Sequence, residues 1–150
     1  MELASQARLG DAVNTYHFQD LELGQQERLV YEVTEEKLAA FLQLTGDDNP
    51  LHTDDAFAKE MGHPGKVSYG MLSASMISAL AGVYLPGKYC LLQQVTSKFA
   101  APVYVGDRVT LTGTVEELNE SVGRVVVKVR GINQDGKTVL RGSYSAGFTQ

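Results

Sequence analysis

Asp47 and His52 stand five positions apart, on either side of Asn49-Pro50. A carboxylate and an imidazole held in one fixed relation can grip a single water. One group orients and deprotonates it, while the other supplies a proton or holds the tautomer. The proline supplies the stiffness and keeps Asn49 out of the α region. Asn49 can accept or donate a hydrogen bond to fix the loop itself. A plainer reading stands beside this one, because Asp, Asn and Pro are the commonest turn formers and His52 can serve as a surface residue or a cap. A metal reading exists too, since Asp47, Asp48, His52, Asp54 and Asp55 cluster. The cluster lacks the spaced histidines of a zinc site and the sixth-position glycine of an EF-hand loop, so no metal is expected.

Other chemistry-bearing residues read more simply. Cys90 is the only cysteine, so no intrachain disulfide can form, which fits a reducing cytoplasm. Its neighbours Tyr89, Leu91 and Leu92 mark a buried strand thiol with no activating base beside it. Ser68 sits at a helix entry, where it reads as a cap, and no Gly-x-Ser-x-Gly elbow surrounds it. His63-Pro64 reads as a loop. Lys66, Lys88, Lys98 and Arg108 are either phosphate ligands or solvated surface charges.

A length of 150 residues fits one domain, with a core large enough to need neither disulfide nor structural metal. Residues 1–14 are weakly patterned and read as an N-terminal extension. Hydrophobic residues at 43% and charged residues at 21% exclude a disordered chain. A net charge of −5 argues against nucleic-acid binding, which requires a basic footprint. The longest apolar stretch, Met71 to Leu85, is interrupted by three serines and a glycine and is too short to span a bilayer. No signal-like apolar run opens the chain, so a cytoplasmic location is expected.

The elements that must position the Asp/His pair follow from hydrophobic period and punctuation. Tyr16 to Gly24 holds a short possible strand. Gln26 to Val33 alternates, with Leu29, Tyr31 and Val33 on one face. Thr34 caps a helix whose first turn carries Glu35 and Glu36 and which Gly46 ends. Asp47 to His52 is a loop, and Thr53 or Asp54 caps a second short helix. A longer helix runs from about Gly70 to Tyr84, with Leu72, Met76, Ala79 and Leu80 at helical spacing, and Leu85-Pro86-Gly87 stops it. The remainder is β: Tyr89–Ala101, Arg108–Asn119, Gly123–Asn133 and Thr138–Thr149, the last two joined by an Asp135-Gly136 turn. This order reads as α+β, with a meander of about four antiparallel strands packed around the long helix.

The stretch Phe41 to Ala58, with Leu44-Thr45-Gly46-Asp47-Asp48-Asn49-Pro50-Leu51-His52, resembles the hydratase signature of the MaoC-like, (R)-specific enoyl-CoA hydratase family. The resemblance continues through the small-residue helix ending in Leu85-Pro86-Gly87 and through Phe99-Ala100-Ala101-Pro102-Val103-Tyr104-Val105-Gly106-Asp107. It covers about residues 23–148. It implies a hot-dog fold, with about five antiparallel strands wrapped around a long central helix, and a homodimer joined sheet edge to sheet edge. It implies that Asp47 and His52 are catalytic and that the Gly70 N–H binds the thioester carbonyl oxygen, with Asn49, Ser68 and Tyr69 near the substrate. The implied reaction is reversible hydration of a 2-enoyl thioester to an (R)-3-hydroxyacyl thioester, carried on coenzyme A or an acyl carrier protein, with no further cofactor. One departure stands out: the family usually has His-Gly before Met-Leu, whereas this chain has Tyr69-Gly70-Met71-Leu72. Two other readings stay open. The first is a dehydratase or double-bond isomerase acting on carrier-bound polyketide or fatty acyl chains. The second is a non-catalytic acyl-thioester-binding protein of the same fold. A hot-dog thioesterase would lack the Asp47–His52 loop.

Overall fold

The computed structural model describes residues 12–149. Five strands form one antiparallel sheet: β1 (Gln26–Glu32), β2 (Cys90–Phe99), β3 (Arg108–Asn119), β4 (Arg124–Ile132) and β5 (Thr138–Phe148), in the order β1-β3-β4-β5-β2. Only β3, β4 and β5 form a meander. The fourth strand of the expected meander, β2, lies at the far edge against β5, because residues 100–107 cross from one end of the sheet to the other instead of closing a hairpin. Alternation fixes the buried face of the sheet. Leu29 and Tyr31 of β1, Val109, Leu111 and Val115 of β3, Val125, Val127 and Val129 of β4 and Tyr144 of β5 are all buried.

Four helices accompany the sheet: α1 (Glu35–Thr45), α2 (Pro50–Thr53), α3 (Asp55–Glu60) and α4 (Gly70–Ala79), the last continuing into a π-helical turn at Leu80–Tyr84. Helix α4 lays Leu72 and Ile77, followed by Leu80, into the core cluster formed with the sheet. Close approach is permitted by a missing side chain, since a Cβ on Gly113 would stand 3.2 Å from Leu80 and 3.0 Å from Val127. The sheet and its central helix thus have the arrangement that the resemblance implies.

Three local differences matter. The segment around Tyr16 forms no strand. It makes a 3₁₀ turn at Phe18–Asp20, held by the His17 N–H donating to Asp20 Oδ2 at 2.8 Å, while the His17 ring stacks on Tyr89. The expected extension over 1–14 lies mostly outside the described residues. Asn14 is built into the fold, donating its N–H to Val83 and accepting from the Lys88 N–H, both at 2.8 Å. The expected loop from Asp47 to His52 closes as a helix: Pro50 is the first residue of α2, and the Asn49 side chain caps it by accepting from the Leu51 N–H at 3.0 Å.

Candidate active site

Three neighbouring pieces of chain build the site. The first is the end of α1. Thr34 Oγ1 accepts from the Lys37 N–H as the N-cap, and Gly46 closes the helix with φ 74, a left-handed conformation that glycine adopts without strain. That cap turns the chain so that Asp47 follows at once. The Asp47 N–H donates to Thr45 Oγ1 and its Oδ1 accepts from the Asn49 N–H, both at 3.2 Å. Oδ2 of Asp47 has no hydrogen bond among the described residues and is free to meet a ligand.

The second piece is α2, which carries His52. Its Nδ1 lies 2.7 Å from the Val67 carbonyl oxygen. A carbonyl only accepts, so Nδ1 carries the hydrogen and Nε2 keeps the lone pair. That contact orients the ring and leaves Nε2 as the nitrogen that faces a ligand.

The third piece is residues 67–70, leading into α4. Tyr69 is the N-cap residue, with φ −58 and ψ 128, and Gly70 is the first helical residue. The Gly70 N–H has no hydrogen-bond partner among the described residues, as expected for the first turn of a helix. Tyr69 is 2% exposed, and its hydroxyl donates to the Asp47 carbonyl oxygen at 2.8 Å. Burial, reinforced by the Asp47 and Asp48 carboxylates, raises the Tyr69 hydroxyl above its ordinary pKa, so it remains a donor.

These pieces converge on one cavity of about 530 Å³, whose wall includes Asp47, His52, Tyr69 and Gly70. Away from them the cavity follows one stripe of α4 (Met71, Ala74, Ser75 and Ser78) and reaches Leu92 and Val95 on β2. A second cavity of about 370 Å³ shares His52, Tyr69 and Gly70 and continues past Ser68, His63 and Phe99. The shared residues therefore stand where the two cavities adjoin.

Of the residues singled out from the sequence, Asp47, His52, Gly70 and Tyr69 come together. Asn49 lines neither cavity and is committed to capping α2. Ser68 is not a helix cap, since Tyr69 holds that position. Its Oγ is buried without a hydrogen-bond partner beside the second cavity. Lys66 is paired with Glu35 at 2.6 Å, and Lys88 stands over the Tyr89 ring. Burial raises the Cys90 thiol pKa, the reverse of nucleophile activation. Two participants escaped the sequence reading. The Val67 carbonyl carries no side-chain signal at all. Phe41 was given no place in the site, yet its ring lies 4.6 Å from that of Tyr69. Among the described residues there is no group of three or more metal-ligating side chains, and no helix is long and apolar enough to cross a membrane.

The sequence and the fold match known proteins. The family model described as a MaoC like domain matches residues 19–137. An (R)-specific enoyl-CoA hydratase of Aeromonas caviae is 38% identical over 124 residues, 83% of this chain and 92% of that protein. A 3-hydroxybutyryl-CoA dehydratase of Methylorubrum extorquens is 36% identical over 102 residues, covering 68% of this chain and 65% of that protein. The solved structure of an (R)-hydratase from A. caviae superimposes with a TM-score of 0.84 at 36% identity, covering 87% of this chain and 99% of that one. An R-hydratase from Pseudomonas aeruginosa gives 0.86 at 31% identity, covering 92% and 88%. The fold is the hot-dog fold of these hydratases.

Proposed function

The chain belongs to the MaoC-like domain family, and from that premise we propose that it is a hydratase/dehydratase that interconverts 2-enoyl thioesters and (R)-3-hydroxyacyl thioesters. The observation that carries this reading is the meeting of Asp47, His52 and the unpartnered Gly70 N–H on one cavity. The stereochemistry and the thioester substrates rest on the names of the relatives.

In the proposed mechanism the thioester carbonyl oxygen accepts from the Gly70 N–H, at the positive end of α4. A water sits between Asp47 and His52. As its oxygen bonds to C3, His52 Nε2 takes its proton, and the C2–C3 π electrons move toward the thioester to give an enolate-like transition state. His52 then delivers that proton to C2, which returns both side chains to their starting states. Dehydration runs the same steps backwards through the same groups. The acyl chain lies along the α4 stripe toward Leu92 and Val95, and the carrier, coenzyme A or a carrier protein, is the only other chemical group required.

We also propose a homodimer. Strand β2 is an edge strand with Leu91 53%, Leu92 40%, Val95 40% and Phe99 51% exposed, and such an edge calls for a partner. A monomeric mass in sedimentation equilibrium would rule it out.

The direct test of the chemistry is turnover of crotonyl-CoA by Asp47→Asn and His52→Ala, with product analysis for hydration against double-bond migration. Each variant is expected to lose about 10²–10⁴-fold in kcat, with a Tm close to that of the parent. Wild-type turnover in both would end the acid/base assignment.

A further inference from the structure

We infer that Tyr69 is the positioning residue of the site, tying Asp47, His52 and the Gly70 N–H into one rigid unit. The inference rests on the acid/base reading above and goes beyond it by naming what holds the pair in place. Three contacts carry it. The Tyr69 hydroxyl donates to the Asp47 carbonyl at 2.8 Å, across 22 residues of sequence. Its ring centroid lies 4.3 Å from that of His52, with the planes at 32°. Its own peptide carbon leads directly to the Gly70 nitrogen, so the donor cannot move without it.

The restraints on each group show why this matters. The other hydrogen bonds to residues 46–49 come from residues 42–53, all close in sequence. Tyr69 makes the one long-range hydrogen bond to that segment among the described residues. The His52 ring has two restraints, the Val67 carbonyl and the Tyr69 ring, and both come from the same short segment. That segment therefore fixes the distance between base, carboxylate and oxyanion donor. A tyrosine acting only as core filler would need its ring and not a directed hydroxyl. Nor does Tyr69 serve as a proton donor to substrate, since its hydroxyl hydrogen is engaged by Asp47. Phe41 packs against the ring and completes its support.

The test uses Tyr69→Phe, which keeps the ring contacts and loses the hydroxyl bond, and Tyr69→Leu, which loses both. Steady-state kinetics with crotonyl-CoA are read beside thermal unfolding, with Asp47→Asn and His52→Ala as controls. Tyr69→Phe should lower kcat about 3–10-fold, the worth of one hydrogen bond, while KM stays within about twofold. Tyr69→Leu should lower kcat about 100-fold, the cost of a misplaced catalytic group, so that phenylalanine recovers part of what leucine loses. If Tyr69→Phe keeps the parental kcat, or its only loss is in Tm or KM, the inference is overturned. Should Tyr69→Leu fail to fold, Tyr69→Phe decides by the same criteria. If Asp47→Asn and His52→Ala retain turnover, the acid/base reading falls first and takes this one with it. If those two are inactive and Tyr69→Phe is unimpaired, this inference alone is wrong.

Discussion

Gly70 offers a way to remove one backbone hydrogen while leaving the fold intact. It is the first residue of α4, where a helix leaves its N–H without an internal partner. Proline is favoured at that position for the same reason. The residue before a proline must avoid the α region, and Tyr69 already does so at φ −58, ψ 128. Gly70 is also absent from the glycines with positive φ, so a proline ring meets no backbone conflict there. What remains is the added carbon. A Cβ at Gly70 would stand 3.3 Å from three ring carbons of Phe99, which must therefore yield by a few tenths of an ångström. Phe99 lines the second cavity, so its ring has room to do so.

Gly70→Ala and Gly70→Pro therefore form a pair. Alanine adds the carbon and keeps the N–H, whereas proline adds the carbon and removes the N–H. Both should stay within about 1 kcal/mol of parental stability, because the small clash is offset by a stiffer unfolded chain. For hydration of crotonyl-CoA, followed by loss of the enoyl thioester's ultraviolet absorbance, alanine should cost less than about tenfold in kcat. Proline should cost a further 10²–10³-fold, about 2.7–4 kcal/mol, the usual worth of one oxyanion donor. Thermal unfolding monitored by circular dichroism checks that each variant is folded. If the folded proline variant turns over within threefold of the alanine variant, the thioester oxygen does not rest on the Gly70 N–H.

Two further predictions concern stability. Asn49→Ala removes the cap of α2, which should cost about 1 kcal/mol and lower Tm by roughly 2–4 °C for a chain of this size; an unchanged Tm in differential scanning calorimetry would contradict the capping role. Burial raises the hydroxyl pKa of Tyr31, Tyr69 and Tyr144 above the ordinary value near 10. The folded state thus favours the protonated phenols, so their contribution is complete below about pH 10 and is lost as pH rises beyond it. Tm should accordingly hold steady from about pH 7 to 9 and fall above about pH 10, and a Tm that holds through pH 11.5 would show that these hydroxyls are not protected by burial.

What the sequence made legible was whatever is settled within a few residues. Thr34 and Gly46 bound α1 at the expected places, because a cap and a left-handed glycine act on their own neighbours. Alternation located β3, β4 and β5 to within a residue or two, and the Asp135-Gly136 turn joined the last two. Asn49-Pro50 carried more than was read from it. Asn-Pro reads as a loop breaker, yet Asn followed by Pro is also an N-cap followed by a first helical residue, and α2 begins there. The place of β2 was not legible, because nothing local in residues 100–107 states which edge of the sheet the chain will reach. The site divides in the same way. Asp47 and His52 stand in the signature stretch and Gly70 at the start of the following long helix, but their mutual geometry is written in neither. It depends on the Val67 carbonyl, 15 residues from His52, and on the Tyr69 hydroxyl, 22 residues from Asp47. The first of these is a backbone atom that any residue would supply. The second is a side chain at a position where the resemblance leads one to expect histidine, a ring too short to bridge the same gap to the Asp47 carbonyl. A departure from the family pattern thus coincides with a contact that the motif alone does not encode, and the tyrosine substitutions ask whether the chemistry depends on it.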